Sequence, residues 1–358
     1  MTPVQWPFRK DQQPEKRLFE EGGFFTPTGR AHFIAIERPA LAEPTSSNWP
    51  LLLNTGRVRD HWHTMTRTGL SPRLASHISE PFVTMHPVDA ETFGIEDQGL
   101  AKVSNGHGSV VLRAHVSDTQ RQGEVFAPIH WNDDVAANAR VGALVHAICD
   151  PWSGQPDAKA TPVSIAPVQK KFAGFILSRN RLRLDAGSIW SWQALADGFA
   201  TRVETNAEAE QICALLAAHV SQSGPGKLET MSFEDSARGV SRRSWVENGR
   251  LLAVLFLGPV NSTQSWEPLL EAWLADTMTA QQRRFVLAGK QTNGIADAGP
   301  AICACFGVRR GAIVQSIEDG ACTAAEVGMR VKAGTNCGSC LPEIKRILQS
   351  EHVLEAAQ

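Results

Sequence analysis

The chain has 358 residues, 42% of them hydrophobic and 20% charged, with a formal net charge of −2. That length holds two or three domains, the near-neutral balance gives no ground for a nucleic-acid partner, and no apolar run is long enough to span a bilayer. Seven cysteines, an odd number in a chain of this size, do not read as a disulfide framework, and Met1 to Lys16 has no apolar signal core; both point to the reducing cytoplasm.

Residues 1–48 read as an irregular entry segment. The prolines of Pro3-Val-Gln-Trp-Pro7 favour extended geometry, and Gly22-Gly-Phe-Phe-Thr-Pro27 is a turn-rich ribbon. Alone the segment buries too little to fold, so it is expected to pack on another domain. Residues 49–168 change character. Leu51-Leu-Leu-Asn54 and Phe82-Val-Thr-Met85 read as strands, and Pro87 to Phe93 as a short helix with Gly94 behind it. Leu100 to Ser104 and Ser109 to Val116 flank the hairpin signal Asn105-Gly-His-Gly108, and the strand Val125 to Ile129 follows. Short strands, glycine turns and one small helix predict a closed β-barrel.

Residues 169–300 are mixed. Ile212, Leu215 and Leu216 give Asn206 to Val220 a helical period, Ser244 to Phe256 reads as a hairpin with Asn248-Gly249 at its tip, and Thr279-Ala-Gln-Gln282 as a capping box. No catalytic constellation stands out, so an α+β packing or docking spacer is expected. Residues 301–350 are expected to be helical around their cysteines, with a second capping box at Thr323-Ala-Ala-Glu326 and a last helix from Pro342 to Leu348.

Chemistry concentrates in two places. Cys303-Ala-Cys305 and Cys337-Gly-Ser-Cys340 form a C-x-C-x31-C-x2-C pattern. Four soft thiolates satisfy either Zn²⁺ or a [2Fe–2S] cluster, and spacing alone does not separate them. Cys337 and Cys340 stand at a helix start, where free N–H groups and the helix dipole favour an anionic centre. Gly334 and Gly338 let the backbone approach the sulfurs. Cys149, Cys213 and Cys322 read as small buried hydrophobes. The second place is Asn54-Thr-Gly-Arg-Val-Arg-Asp-His-Trp-His-Thr-Met-Thr-Arg-Thr-Gly69. Its hydroxyls and N–H groups can hold phosphate, with Arg57 or Arg67 pairing bidentately. His61-Trp-His63 lacks an obvious third metal ligand. From the residues alone, a polar barrel rim with Trp62 in the core is the simpler reading.

Family resemblance adds to this. Ile302-Cys-Ala-Cys-Phe-Gly-Val308 with Ala333-Gly-Thr-Asn-Cys-Gly-Ser-Cys340 resembles the bacterioferritin-associated-ferredoxin type of [2Fe–2S] domain. The resemblance implies Cys303, Cys305, Cys337 and Cys340 as cluster ligands. The 54–69 loop, Pro128-Ile-His-Trp-Asn132 and Asp150 to Lys159 resemble pterin-contacting segments of the molybdopterin-dinucleotide-binding domain of molybdenum oxidoreductases. That implies a double-psi β-barrel whose Thr55, Gly56, Arg57, His61, Trp62, His63, Thr64 and Thr66 line a molybdopterin guanine dinucleotide, with His130 and Lys159 as further contacts.

Barrel, α+β spacer and small all-α [2Fe–2S] domain in this order are similar to the carboxy-terminal part of bacterial assimilatory nitrate reductase. The expected domains are 1–48, 49–168, 169–300 and 301–350. The resemblance implies a relay in which a flavoprotein reductase subunit, ferredoxin or flavodoxin reduces the [2Fe–2S] cluster. Electrons then pass through a [4Fe–4S] cluster to molybdenum, which reduces nitrate to nitrite. No cysteine precedes Cys149, so the [4Fe–4S] motif and the molybdenum ligand are expected only in an upstream portion absent here. A truncated or split product, inactive alone and with no catalytic residue of its own, is therefore expected. A formate dehydrogenase-like molybdoenzyme, or a stand-alone electron-transfer or docking protein, are the alternatives.

Overall fold

The computed structural model describes residues 19–33, 35, 40–151, 153–185, 187–221, 228–262, 265–290 and 299–356, with side chains to residue 351. Pro3 to Pro7, the rest of the amino terminus before residue 19, and Trp152 lie outside the described residues. The chain divides into two compact units, 1–42 and 43–358. In the first, the Phe19 ring stacks on Phe24 at 4.8 Å and meets Phe25 edge-on at 5.2 Å.

The second unit begins with a barrel. Its elements are β1 (Leu51–Gly56), α1 (Pro72–Ala75), β2 (Phe82–Met85), α2 (Pro87–Phe93), β3 (Leu100–Ser104), β4 (Ser109–Val116), β5 (Glu124–Pro128) and β6 (Thr161–Val168). The strands close in the order β1-β5-β2-β4-β3-β6. β1 pairs with β5, and β2 with β4, in parallel, while the other pairings are antiparallel. These two parallel crossings in a closed six-stranded barrel give the double-psi form expected. Alternate side chains fill the interior: Leu51 and Leu53 from β1, Val110, Leu112 and Ala114 from β4, Val125 and Ala127 from β5. α2 ends on Gly94 in the left-handed conformation, φ 64°.

A six-stranded antiparallel sheet follows. It contains β7 (Phe172–Ser178), β8 (Ile189–Ala194), β9 (Phe199–Thr205), β10 (Leu228–Asp235), β11 (Val240–Glu247) and β12 (Arg250–Pro259), ordered β10-β11-β12-β7-β9-β8. Helix α3 (Ala209–Ser221) buries Ile212, Leu216 and Val220 on one face against Ile176, Val203 and Leu255. On the other face, α4 (Leu270–Leu274) seats Trp273 beside Phe175 and Phe256. Asn248 (φ 53°) and Gly249 (φ 81°) form the expected two-residue hairpin turn. Thr279 caps α5 (Ala280–Phe285) in a full capping box. The sheet is welded to the barrel: Trp190 and Trp192 of β8 belong to the barrel core, and Arg113 of β4 reaches Glu204 of β9 at 2.6 Å.

The last stretch comprises β13 (Ala301–Cys303), β14 (Val308–Arg309), α6 (Arg310–Glu318), α7 (Ala324–Val331) and α8 (Leu341–Ala356). The helices enclose Ile302, Ile313, Ile317, Val327, Ile344 and Leu348, and Thr323 opens α7 with the second capping box. The small hairpin β13–β14 adds a two-stranded piece to the helical domain expected. Its strands pair Ala301 with Arg309 and Cys303 with Val308, across a turn that carries Cys305. Among the described residues, no helix is long and apolar enough to cross a membrane. Of the three cysteines read as buried, only Cys213 is so; Cys149 and Cys322 are exposed. Both stand in loops, Cys149 before the turn at 150–154 and Cys322 just ahead of the α7 cap, where no sheet or helix covers them.

Candidate cofactor loop and cysteine cluster

The loop after β1 is shaped by its own side chains. Thr55 is buried, with Oγ1 donating to the Ala158 carbonyl at 2.6 Å, and the Lys159 ammonium donates to the Thr55 carbonyl. The 150–159 segment is thereby tied to the end of β1. A Cβ on Gly56 would stand 2.6 Å from the Phe126 ring, so this glycine is demanded by packing beneath the loop as well as by room above it. His130, fully buried, staples the loop. Its Nε2 accepts from the Val58 N–H at 3.0 Å, and its Nδ1 therefore donates to the His63 carbonyl at 2.7 Å. That tautomer is neutral, in keeping with burial lowering its pKa.

His61 is buried beside Trp131, with Nε2 3.0 Å from the Ile78 carbonyl and Nδ1 lacking any partner. Burial lowers its pKa too, so it offers a neutral ring nitrogen. Asp60 (φ 71°), His63 (φ 44°) and Met65 (φ 59°) all hold left-handed backbone that non-glycine residues rarely adopt. Three such residues within six positions store strain in one short loop, a mark of functional segments. Arg57, Trp62, His63, Thr64 and Thr66 project to the surface. Trp62 is 60% exposed rather than in the core, because the left-handed residue on each side of the 61–62 step turns His61 inward and its neighbour out. The Arg57 guanidinium sits 5.1 Å from the Trp62 ring centroid. The loop thus presents an open shelf of two arginines, Arg57 and Arg67, one indole and several hydroxyls. Among the described residues, two cavities of about 270 and 320 Å³ lie elsewhere, at the junctions of the barrel with its neighbours.

The four cysteines come together as two pairs. Cys305 and Cys337 sulfurs are 3.3 Å apart at the surface, and Cys303 and Cys340 form a buried hydrogen-bonded pair. A hydrogen bond from Ser339, 3.1 Å away, lowers the Cys337 pKa, whereas burial, then Cys303, pushes Cys340 up to about 11. Left-handed Gly334 (φ 83°) and Gly338 (φ 73°) wrap the second pair, and Cys340 immediately precedes α8. Soft donors in two pairs suit a two-iron centre with two thiolates on each iron, and the thiols must lose their protons to bind it.

The structure also brings together residues that sequence reasoning passed over. Arg59 Nη2 donates to the Ile302 carbonyl at 2.8 Å and Nη1 to the Ser339 carbonyl at 3.2 Å. The same guanidinium pairs with Asp60 (3.1 Å) and with Glu343 of α8 (3.1 Å). His77 lies 3.1 Å from Asp60 and 3.4 Å from Glu343. Arg73 of α1 donates to the Cys305 carbonyl at 3.1 Å. Only the adjacent Arg59-Asp60 pair was visible beforehand, and nothing in it named a partner some 240 residues away. Apart from these, Glu43, His107 and His146 group their donor atoms within 4.8 Å. His107 Nε2 and His146 Nδ1 are 2.8 Å apart, a hydrogen-bond length. Two nitrogens each about 2.0–2.1 Å from one tetrahedral zinc stand farther apart than this, roughly 3.3 Å, so the group is a hydrogen-bonded network.

Comparison with known proteins accords with both sites. Residues 51–162 match the family model described as "Molydopterin dinucleotide binding domain", and residues 301–350 that described as "BFD-like [2Fe-2S] binding domain". A nitrate reductase of Klebsiella oxytoca is 32% identical over 98% of this chain and 39% of its own length. A nitrate reductase of Synechocystis sp. is 40% identical over 47% of this chain and 24% of its own length. The F420-dependent formate dehydrogenase 1 subunit alpha of Methanococcus maripaludis is 35% identical over 37% of this chain and 20% of its own length. The chain therefore spans about two fifths of the length of the Klebsiella relative or less of the others.

Proposed function

We propose that this chain, which joins a molybdopterin dinucleotide-binding barrel to a BFD-like [2Fe–2S] domain, serves in a molybdenum-dependent assimilatory nitrate reductase. Its barrel holds the pterin dinucleotide and its cysteine domain is the point of electron entry. The observation that carries the reading is the likeness to a nitrate reductase over 98% of the chain, spacer included, whereas the likeness to a formate dehydrogenase covers 37% of it.

In this reading the exposed Arg57, Trp62, His63, Thr64 and Thr66, with Thr55, Gly56 and the Lys159 head, hold the pterin dinucleotide. His61 offers its unpartnered Nδ1, and His130 keeps the loop in shape. Cys303, Cys305, Cys337 and Cys340 hold the [2Fe–2S] cluster. When bound, the cluster supplies one-electron transfer and the molybdenum cofactor supplies oxygen-atom abstraction from nitrate. Residues 1–48 pack on a catalytic domain, 49–168 hold the pterin, 169–300 brace barrel against cluster domain, and 301–350 take electrons from a flavoprotein subunit, ferredoxin or flavodoxin in the cytoplasm. By itself the chain binds [2Fe–2S] and does not reduce nitrate.

The test is growth of a strain carrying an in-frame deletion of this chain's coding sequence. Loss of growth on nitrate as sole nitrogen source, with growth on nitrite and ammonium intact and restored by the gene in trans, is expected. Unimpaired growth on nitrate would refute the nitrate reading and leave the formate dehydrogenase-like alternative to be tested on formate.

A further inference from the structure

The barrel loop assigned to the pterin and the loops that carry the thiols are one continuous hydrogen-bonded assembly. Arg59, in the middle of the cofactor loop, donates to the carbonyls of Ile302 and Ser339. These are the residues immediately before Cys303 and Cys340, the buried pair. Arg73, sixteen positions after the loop begins to turn at Arg57, donates to the carbonyl of Cys305 itself. Three of the four thiol-bearing residues are therefore gripped through their own backbone or their neighbour's by two arginines of the barrel. The Arg59 side chain is only 18% exposed, and its bond to the Ile302 carbonyl is half-buried while that to the Ser339 carbonyl lies at the surface.

Charge is balanced in the same place. Arg59 faces Asp60 at 3.1 Å and Glu343 at 3.1 Å, and His77 approaches both carboxylates from α1's side. Glu343 lies in the first turn of α8, the helix that starts at the Cys340 loop. Reduction of a cluster adds one negative charge, which a nearby cation favours and a nearby carboxylate opposes, and both effects grow as water is excluded. Take away the Arg59 cation and two carboxylates face the thiolates less compensated. Take away Glu343 and the cation is less compensated.

We propose that Arg59 and Arg73 are positioning residues that lock the cluster-binding loops onto the cofactor loop of the barrel, and that the Arg59 charge, set against Asp60 and Glu343, raises the reduction potential of the cluster. The inference rests on the reading of the four thiolates as a [2Fe–2S] site. Its consequence is that electrons enter this protein beside the cofactor loop, through a contact of fixed geometry, with no hinge between the two.

The experiment uses the full chain, purified anaerobically, with parent, Arg59→Gln, Arg59→Lys, Arg73→Gln and Glu343→Gln compared. Iron and acid-labile sulfide are counted first. The midpoint potential is then read by redox titration of the reduced-cluster EPR signal, and loop docking by amide hydrogen exchange. Arg59→Gln is expected to shift the midpoint downward, Glu343→Gln upward, and Arg59→Lys to stay near the parent. Arg73→Gln and Arg59→Gln are both expected to speed exchange at 301–309 and 334–341. A parent without a two-iron signal would overturn the iron–sulfur reading itself. A parent with its cluster, but with unshifted midpoints in both Arg59→Gln and Glu343→Gln or shifts of the same sign, would overturn the electrostatic inference alone. Unchanged exchange in both arginine variants would overturn the lock. Should Arg59→Gln fail to assemble a cluster, the upward shift of Glu343→Gln still decides.

Discussion

Gly334 offers a sharp test of how the cysteine loop is held. Its φ of 83° is left-handed, and a Cβ there would stand 2.6 Å from Leu341 Cδ2 and 3.4 Å from Leu341 Cγ, with Ile344 Cδ1 at 3.5 Å. Leu341 opens α8 and Ile344 lies in the core of the domain. Gly334→Ala therefore incurs two costs. Left-handed backbone with a Cβ costs about 1–2 kcal/mol, and crowding a packed site adds about 1–3 kcal/mol, so about 3 kcal/mol is expected in all. Gly338→Ala separates the two. Its φ is 73°, but its Cβ would meet Leu341 Cδ1 at an ordinary 3.5 Å, so only the backbone cost of about 1–2 kcal/mol applies. A chain with several packed parts does not unfold in one step, so the right assay is local: hydrogen exchange of the α8 amides in the reduced, full-length protein. Since about 1.4 kcal/mol is a tenfold change, Gly334→Ala is expected to lower α8 protection by about a hundredfold and Gly338→Ala by about tenfold. Equal effects of the two substitutions, or protection unchanged in Gly334→Ala, would refute the reasoning.

Other substitutions probe the frame around the sites. Arg113→Gln should destabilise the weld between barrel and sheet by about 1–3 kcal/mol, because buried Glu204 (2.6 Å) would lose its cation while Glu80 (3.2 Å) keeps Arg202 at 3.8 Å; chemical denaturation with a probe on each part measures it. Trp62→Ala should leave the unfolding transition unchanged, since the indole is 60% exposed, yet weaken retention of the pterin dinucleotide severalfold in the assembled enzyme, read by fluorescence of the released, oxidised pterin. The junction of Arg59, Asp60, His77 and Glu343 should be pH-sensitive. Burial works against charging His77, but hydrogen bonds with Asp60 and Glu343 outweigh it and raise its pKa above 6.5. Burial likewise opposes ionised Asp60 and Glu343, but the hydrogen bond from His77 together with the charges of His77 and Arg59 outweighs it and lowers both. The histidine's contribution is thus full below pH 6.5 and fades as pH rises through its raised value, while the carboxylates' contribution fades only as pH falls through their lowered values. Loss of its proton also leaves His77 Nε2 to Arg59, 2.6 Å away, in place of Glu343. Protection at 301–309, taken relative to the base-catalysed exchange rate of an unstructured amide at each pH, should therefore fall as pH rises above 6.5 in the parent and show no such step in His77→Gln.

Much of the framework was legible in the residues. The barrel strands β1 to β5, the Asn248-Gly249 hairpin and both capping boxes carry local signals, periodicity and turn chemistry, that tertiary context did not override. Strands β6 to β10 were not singled out. β7 and β8 are buried on both faces or against the barrel, so they lack the alternation that marks a half-exposed strand. β10 is an edge strand of mostly exposed residues and has little apolar pattern at all. The cysteines could be read because their spacing is itself a signal. The exposure of Trp62 could not, since it follows from left-handed backbone at Asp60 and His63 that no propensity foretells. Nor could the Arg59 and Arg73 contacts, whose acceptors are backbone carbonyls and so leave no trace in residue type.

The central claim is that this chain couples a [2Fe–2S] electron-entry centre to a pterin-binding barrel. Iron and acid-labile sulfide per chain, with EPR after dithionite reduction of anaerobically purified protein, test it most directly. Two irons, two sulfides and a rhombic S = 1/2 signal are expected, abolished by Cys303→Ser or Cys340→Ser. Zinc bound without sulfide would make the four cysteines a structural site and contradict the electron-entry role.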